Sequence, residues 1–421
     1  MVEKDPLSEA TRTDGTTVSA GERPARETHR LTVRLTAVIF VLVAAAGLFE
    51  GLARTVFAWR EEIRRIPIIS RMVQRDLDLD PYEMPSPKGG SHWVLRPGYA
   101  ATMQQLVEDK RRAQRTLGQR TLEGGLKAPN DDSRGIFRIN DDGFKGPELD
   151  RAHARPRILM LGDSTTFGIG DADYPRIAEA RLAAHGFAAE VVNGGVEGYS
   201  PRNVLFEIER YKALRPEIVT LYIGWNALYF YTPWADALEN RSRLAYIAYR
   251  AFRSRLDAHA YAKSLVERIA KPDPDSPAVK SLDTHVPRFM NEVERIVDEM
   301  ASTGADVVLV TLPGLFELNE KPTPVALKIG HLPSFTENPY VLAKLTDRYN
   351  AALRLLAKRR NLFVIDLATW SDRALQPRDT YFVDSVHLNA QGLELVGAFV
   401  AERLTDRVEI SQAATKRGAN R

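Results

Sequence analysis

From residue 157 onward the chain alternates short apolar runs with helical stretches, and this alternation restricts the fold more than any other feature. The runs fall at residues 157–161 (RILML), 189–192, 218–223 (IVTLYI), 306–311 (DVVLVT) and 362–365 (LFVI). They are apolar at successive rather than alternate positions, the pattern of strands covered on both faces. Helical patterns occupy residues 174–184, 201–214, 288–302, 340–359 and 389–404. Ser200 followed by Pro201 reads as an N-cap with a first-turn proline, and Gly186 and Gly304 stand where C-terminal caps belong. Five β–α units of this order predict a three-layer α/β/α sandwich around a parallel five-stranded sheet. Such a sheet binds ligands beyond the C-terminal ends of its strands.

The rest of the chain is arranged around this domain, which spans residues 151–407. Residues 1–30 are polar and read as a disordered tail, and 408–421 as a second polar tail. Residues 54–150 carry Pro81, Pro85, Pro87, Gly89, Gly90, Pro97 and Gly98, punctuation that suits a connector and lid with an edge hairpin. Residues 227–287 break the β–α repeat with aromatic and Arg-rich helical stretches (ALYFYTPW, RLAYIAYRAFRSRL). They read as a helical insertion that shapes a cleft above the strand ends or packs as an extra layer.

Residues 31–53 read as a transmembrane anchor. Residues 35–49 (LTAVIFVLVAAAGLF) are uncharged, and the wider stretch is broken only by Arg34 and Glu50. Spanning takes about 20 mainly apolar residues, so the wider stretch suffices if Arg34 snorkels. A polar lead of thirty residues favours an uncleaved anchor over a signal peptide or a core helix. Arg23, Arg26, Arg30 and Arg34 on one side balance Arg54, Arg60, Arg64 and Arg65 on the other, so charge leaves the orientation open. A net charge of +3 without a basic run argues against nucleic acid as a partner. With no cysteine, disulfides, thiolate catalysis and Cys-based zinc sites are excluded.

The chemistry-bearing residues gather at the strand ends. The first strand runs directly into Gly162-Asp163-Ser164, a turn that exposes a serine and outward-facing backbone N–H groups, although Gly-Asp-Ser is also ordinary turn chemistry. The second strand ends in Asn193-Gly194-Gly195-Val196-Glu197-Gly198 and the third in Gly224-Trp225-Asn226. Before the last helix stands Asp384-Ser385-Val386-His387, where a carboxylate three residues ahead of an imidazole can fix its tautomer and leave the other nitrogen to deprotonate a serine. Of eight histidines, His387 has the best local context. His29, His92, His153, His185, His259, His285 and His331 read as surface or structural. No clear set of further ligands accompanies Asp384 and His387 for a metal.

These four blocks, in this order, resemble the SGNH (GDSL-type) hydrolase superfamily over roughly residues 155–405, and the resemblance implies its flavodoxin-like fold. It implies Ser164 as nucleophile, His387 as general base and Asp384 as its orienting carboxylate. The oxyanion hole it implies is the Ser164 and Gly198 backbone N–H groups with the Asn226 side chain. One departure is Ala227, where the family usually has Asp. A second stretch, residues 138–148 (RINDDGFKGPE) with 93–98 (WVLRPG) upstream, is similar to bacterial membrane-anchored members and also reads as an edge hairpin. That similarity implies a single-pass inner-membrane protein with a periplasmic catalytic domain. The expected activity is an esterase or acyl-transfer reaction on O-acyl, above all O-acetyl, groups of cell-envelope carbohydrate, with no cofactor or metal. The alternatives are a non-catalytic polysaccharide-binding or assembly module and a lipid or thioester hydrolase.

Overall fold

The computed structural model describes residues 23–59, 62–63, 66–70, 79–89, 92–116, 136–230, 241–249, 270–333 and 335–419. Two compact units divide between Ala58 and Trp59. The first contains the helix Arg23–Ala58. Its Thr32–Val56 stretch has a mean hydropathy of 2.2 and is long and apolar enough to cross a bilayer, a property that signal sequences share. Six consecutive apolar residues, 38–43, cover its whole circumference, unlike the one-sided stripe of a helix packed on a soluble core. Glu50 accepts from Arg54 Nε at 2.7 Å one turn away, which offsets one of the two charges in the expected anchor. The helix outruns the expected 31–53 at both ends, and residues 23–30, expected as tail, are helical because Ala, Arg and Glu sustain a helix. Residues 1–22 of that tail lie outside the described residues.

The second unit begins with two small antiparallel pairs. Strand β1 (Glu83–Pro85) pairs with β2 (Trp93–Leu95), and β3 (Ala100–Thr102) pairs with β4 (Ile136–Arg138). The connector is therefore more than one edge hairpin. Its last turn, centred on Gly143, does reach a sheet edge, through a bridge from Lys145 to Asn193.

The main sheet is formed by β5 (Arg157–Gly162), β6 (Glu190–Gly195), β7 (Ile218–Tyr222), β8 (Asp306–Val310) and β9 (Phe363–Ile365). All four pairings are parallel and the order is β6-β5-β7-β8-β9. Every residue of β5, β6 and β7 is buried, as strands with helices on both faces require. Helix Tyr174–Ala184 packs on Ala390–Ala419, and helix Met290–Ala301 packs on Pro201–Phe206. The order reverses around β5, the topological switch point where ligands of such sheets bind. Strand β6 runs to Gly195, beyond the expected 192, because Asn193, Gly194 and Gly195 continue the ladder with β5.

Two helices differ from expectation. The predicted helix 201–214 is broken at Glu207, a buried residue whose carboxylate accepts from Ser86 Oγ at 2.7 Å, so the connector pins the break. The last helix runs from Ala390 to Ala419, so residues 408–419 continue it rather than forming a tail, since their Ala, Glu, Gln, Lys and Arg favour helix. Of the 227–287 insertion, residues 231–240 and 250–269 lie outside the described residues, while 243–249 are helical.

Candidate active site

Strand β5 delivers its chain into a single turn of helix, Ser164–Phe167. Asp163 caps that turn: its Oδ1 accepts from Thr165 N at 3.0 Å and Thr165 Oγ1 at 2.8 Å. The cap is fully buried, which pushes its carboxyl pKa up against those hydrogen bonds. The turn passes so close to the sheet that a Cβ on Gly162 would lie 2.0 Å from Thr166 Oγ1 and 2.5 Å from the Tyr222 carbonyl. Only glycine fits there, and the tight exit presents Ser164 at the edge while its successors are buried.

The imidazole arrives from the other end of the chain. The Phe382–Leu388 bridge closes the loop before the last helix, and Asn389 Oδ1 caps that helix by accepting from Gly392 N at 3.0 Å. Within the loop Asp384 divides its two oxygens. Oδ1 accepts from Val386 N and His387 N, each at 2.8 Å, which winds the backbone into a turn. Oδ2 lies 2.7 Å from His387 Nδ1, and His387 Nε2 lies 2.8 Å from Ser164 Oγ. An ionised carboxylate only accepts, so Nδ1 carries the ring proton and Nε2 turns its lone pair to the hydroxyl. Burial opposes the Asp384 charge, yet the His387 hydrogen bond and charge hold its carboxyl down to about 2. For His387 burial disfavours the protonated ring, but the bond and charge of Asp384 prevail and raise its pKa above the ordinary histidine value.

Asn226 opens the helix Trp225–Phe230 just beyond β7 and lines one cleft with Ser164, Tyr229 and His387. The cleft measures about 250 Å³. Asn226 Nδ2 donates to the Tyr199 carbonyl at 2.9 Å, tying the third block to the loop that carries Gly198. Gly198 has φ +74° and sits on that loop, but it is not among the residues lining the cleft. Ala227 is 1 % exposed, packed in the apolar core, so an aspartate there would bury a charge. The hold on Asn226 comes from Tyr199 instead.

Several residues that shape this region escape a sequence reading. Trp93 of β2 donates from Nε1 to the Glu197 carbonyl at 3.2 Å, and its own carbonyl accepts from Tyr199 Oη at 2.5 Å, so the connector grips the Gly198 loop on both sides. Tyr82 bonds the Glu197 carboxylate. Lys145, fully buried with its pKa lowered by desolvation, donates to the Phe167 carbonyl at 2.8 Å and faces Asp173 at 3.4 Å. It thereby terminates the Ser164 turn. His331, exposed as a surface reading expects, also lines the cleft with Nε2 at 3.6 Å from Asp384 Oδ2 and supplies a third candidate ligand beside Asp384 and His387. The only sequence signals were the quoted connector motifs; His331 had no local signal.

The Lys145 arrangement makes a definite prediction. Lys145→Met keeps the stem but leaves a buried carboxylate and a carbonyl without their partner, at a cost of about 3–5 kcal/mol. The thermal unfolding midpoint of the full chain should fall accordingly; an unchanged midpoint would show that Lys145 does not hold the turn.

A hydroxyl, an imidazole and a carboxylate in line at the C-terminal edge of a parallel sheet can serve acyl-transfer chemistry. The chain belongs to the GDSL-like lipase/acylhydrolase family, whose model matches residues 160–395, a span that includes Ser164, Gly198, Asn226, Asp384 and His387. It is a carboxylic ester hydrolase. Among solved structures it is similar to a lipase/acylhydrolase from Enterococcus faecalis, at 16 % identity over 60 % of this chain and 96 % of that one, with a TM-score of 0.36. It is also similar to a catalytic mutant of an acetylxylan esterase from Geobacillus stearothermophilus, at 15 % identity over 59 % of this chain and 93 % of that one, with a TM-score of 0.38. No curated protein matches the chain.

Proposed function

We propose that the protein is a serine esterase or acyltransferase that removes or moves O-acyl groups, O-acetyl above all, on cell-envelope carbohydrate. In this reading residues 31–53 anchor it in the inner membrane and the catalytic domain lies in the periplasm. The observation that carries the reaction is the continuous contact from Asp384 through His387 to Ser164, at 2.7 and 2.8 Å. His387 Nε2 takes the Ser164 proton as Oγ attacks the ester carbonyl. The Ser164 N–H and the Asn226 amide receive the resulting oxyanion, with the Gly198 N–H as the third donor that the family likeness implies. Donors of this kind are each worth about 10²–10³ in rate. The intermediate collapses, His387 gives its proton to the departing sugar oxygen, and the acyl group stays on Ser164. Water or another sugar hydroxyl, deprotonated by the same nitrogen, then releases it.

The cleft supports a short acyl group. Its roughly 250 Å³ among the described residues has room for an acetyl group with part of a sugar. Support for the periplasm comes from the likeness of the connector motifs to those of membrane-anchored members. The test is ester hydrolysis by the full chain in detergent. Aryl acetate should exceed aryl decanoate by about tenfold or more in kcat/KM, and acetylated glycan should release acetate. Preference for the long chain would move the substrate class to lipid and overturn the reading.

A further inference from the structure

Asp384 has a second histidine beside it. His331, half exposed, brings Nε2 to 3.6 Å from Asp384 Oδ2, the oxygen already bonded to His387 Nδ1. That gap is too wide for an N–H···O hydrogen bond, which spans about 2.7–3.2 Å. Tyr229 Oη lies 3.0 Å from the His331 carbonyl and 2.8 Å from His331 Nδ1. The phenol thereby holds the Nδ1 edge of the ring and leaves Nε2 directed at the Asp384 carboxylate. The spacing of His331 Nε2 and Asp384 Oδ2 instead fits two ligands of one cation. Donors bound to a tetrahedral zinc ion at about 2.0–2.2 Å lie about 3.4 Å from each other.

We propose that His331, Asp384 and His387 form a site for one zinc-class transition-metal ion, and that occupation switches the esterase off. Donor atoms of the three residues all lie within 4.8 Å of one another. Two imidazoles and a carboxylate are the donor set such ions prefer, and a water from the open cleft completes the tetrahedron. Tyr229 holds the outer nitrogen of His331 as outer partners of metal-ligating histidines do. The ion takes His331 Nε2, Asp384 Oδ2 and His387 Nδ1. For His387 this exchanges one ring proton: the Nδ1 proton leaves to solvent and a solvent proton binds Nε2, so the ring stays neutral. Nε2 then presents N–H to Ser164 Oγ and has no lone pair with which to deprotonate it.

The inhibition rests on the esterase reading above; the binding does not, and the experiment reads them separately. Zinc is titrated calorimetrically into full-length Ser164→Ala protein, which keeps all three ligands. One ion per chain is expected, with affinity reduced about 100-fold by His331→Ala and about tenfold by Tyr229→Phe, which keeps every ligand and loosens only the ring. In parallel, zinc should inhibit ester hydrolysis by the unmodified chain and a chelator should restore it. His331→Ala, scaled to its own zinc-free rate, should need correspondingly more zinc. No binding to Ser164→Ala, or unchanged affinity in both variants, overturns the site. Binding without inhibition overturns the switch.

Discussion

Replacing Ser164 by alanine should lower kcat for ester hydrolysis about 10⁶-fold. Ser164 Oγ is the atom that His387 Nε2 reaches at 2.8 Å, and alanine removes the only group there able to form the acyl intermediate. The small residual rate would come from the oxyanion donors and the cleft acting on a water molecule. Because nucleophile and base act as one unit, adding His387→Ala to Ser164→Ala should cost little more. Initial rates on aryl acetate, with far-ultraviolet circular dichroism to confirm folding, check both statements. A loss of less than tenfold in Ser164→Ala would remove the serine from the chemistry.

The second large effect belongs to Asp384→Asn, which should lower kcat about 10⁴-fold with little change in fold. The two oxygens of Asp384 have separate tasks, so the substitution discriminates between them. An asparagine keeps Oδ1 as acceptor for Val386 N and His387 N, and the turn survives. Its amide then faces His387 Nδ1 as a donor, which drives the ring proton to Nε2 and removes the base. In the unmodified enzyme the Asp384 charge raises the His387 pKa, so activity should fall as pH drops through a midpoint above the ordinary histidine value of about 6.5. Losing that charge lowers the pKa, and the residual activity of Asp384→Asn should hold to lower pH. A fall in rate of less than tenfold, or an acid limb that stays in place, would contradict the tautomer argument.

The sheet was legible because its strands are buried on both faces, so residues 218–223 are apolar at every position but Thr220 and bounded by turn residues. The Ser164, Asn226 and His387 blocks could be located for the same reason: each follows a strand or precedes a helix. What the sequence hid depends on long-range contact. Glu207 reads as one more helical residue until Ser86, from the connector, docks on it and the helix breaks. Lys145 looks like a surface lysine beside two glycines, yet it is buried against Phe167 and Asp173. His331 sits among Gly330, Leu332 and Pro333, which say nothing of Asp384 more than fifty residues later. Its partner Tyr229 comes from the insertion, the segment whose role the pattern left open. Gly198 remains an expectation from family likeness, since it lies on the loop held by Trp93 and not in the lining of the cleft.

The most direct measurement is covalent trapping of the nucleophile. Full-length protein in detergent is treated with an aryl fluorophosphonate, and its mass is measured before and after proteolysis. The account predicts one phosphonyl group per chain, on the peptide containing Ser164, absent from Ser164→Ala and greatly slowed in Asp384→Asn. Labelling at another residue, or an active esterase that takes up no label at Ser164, would contradict it.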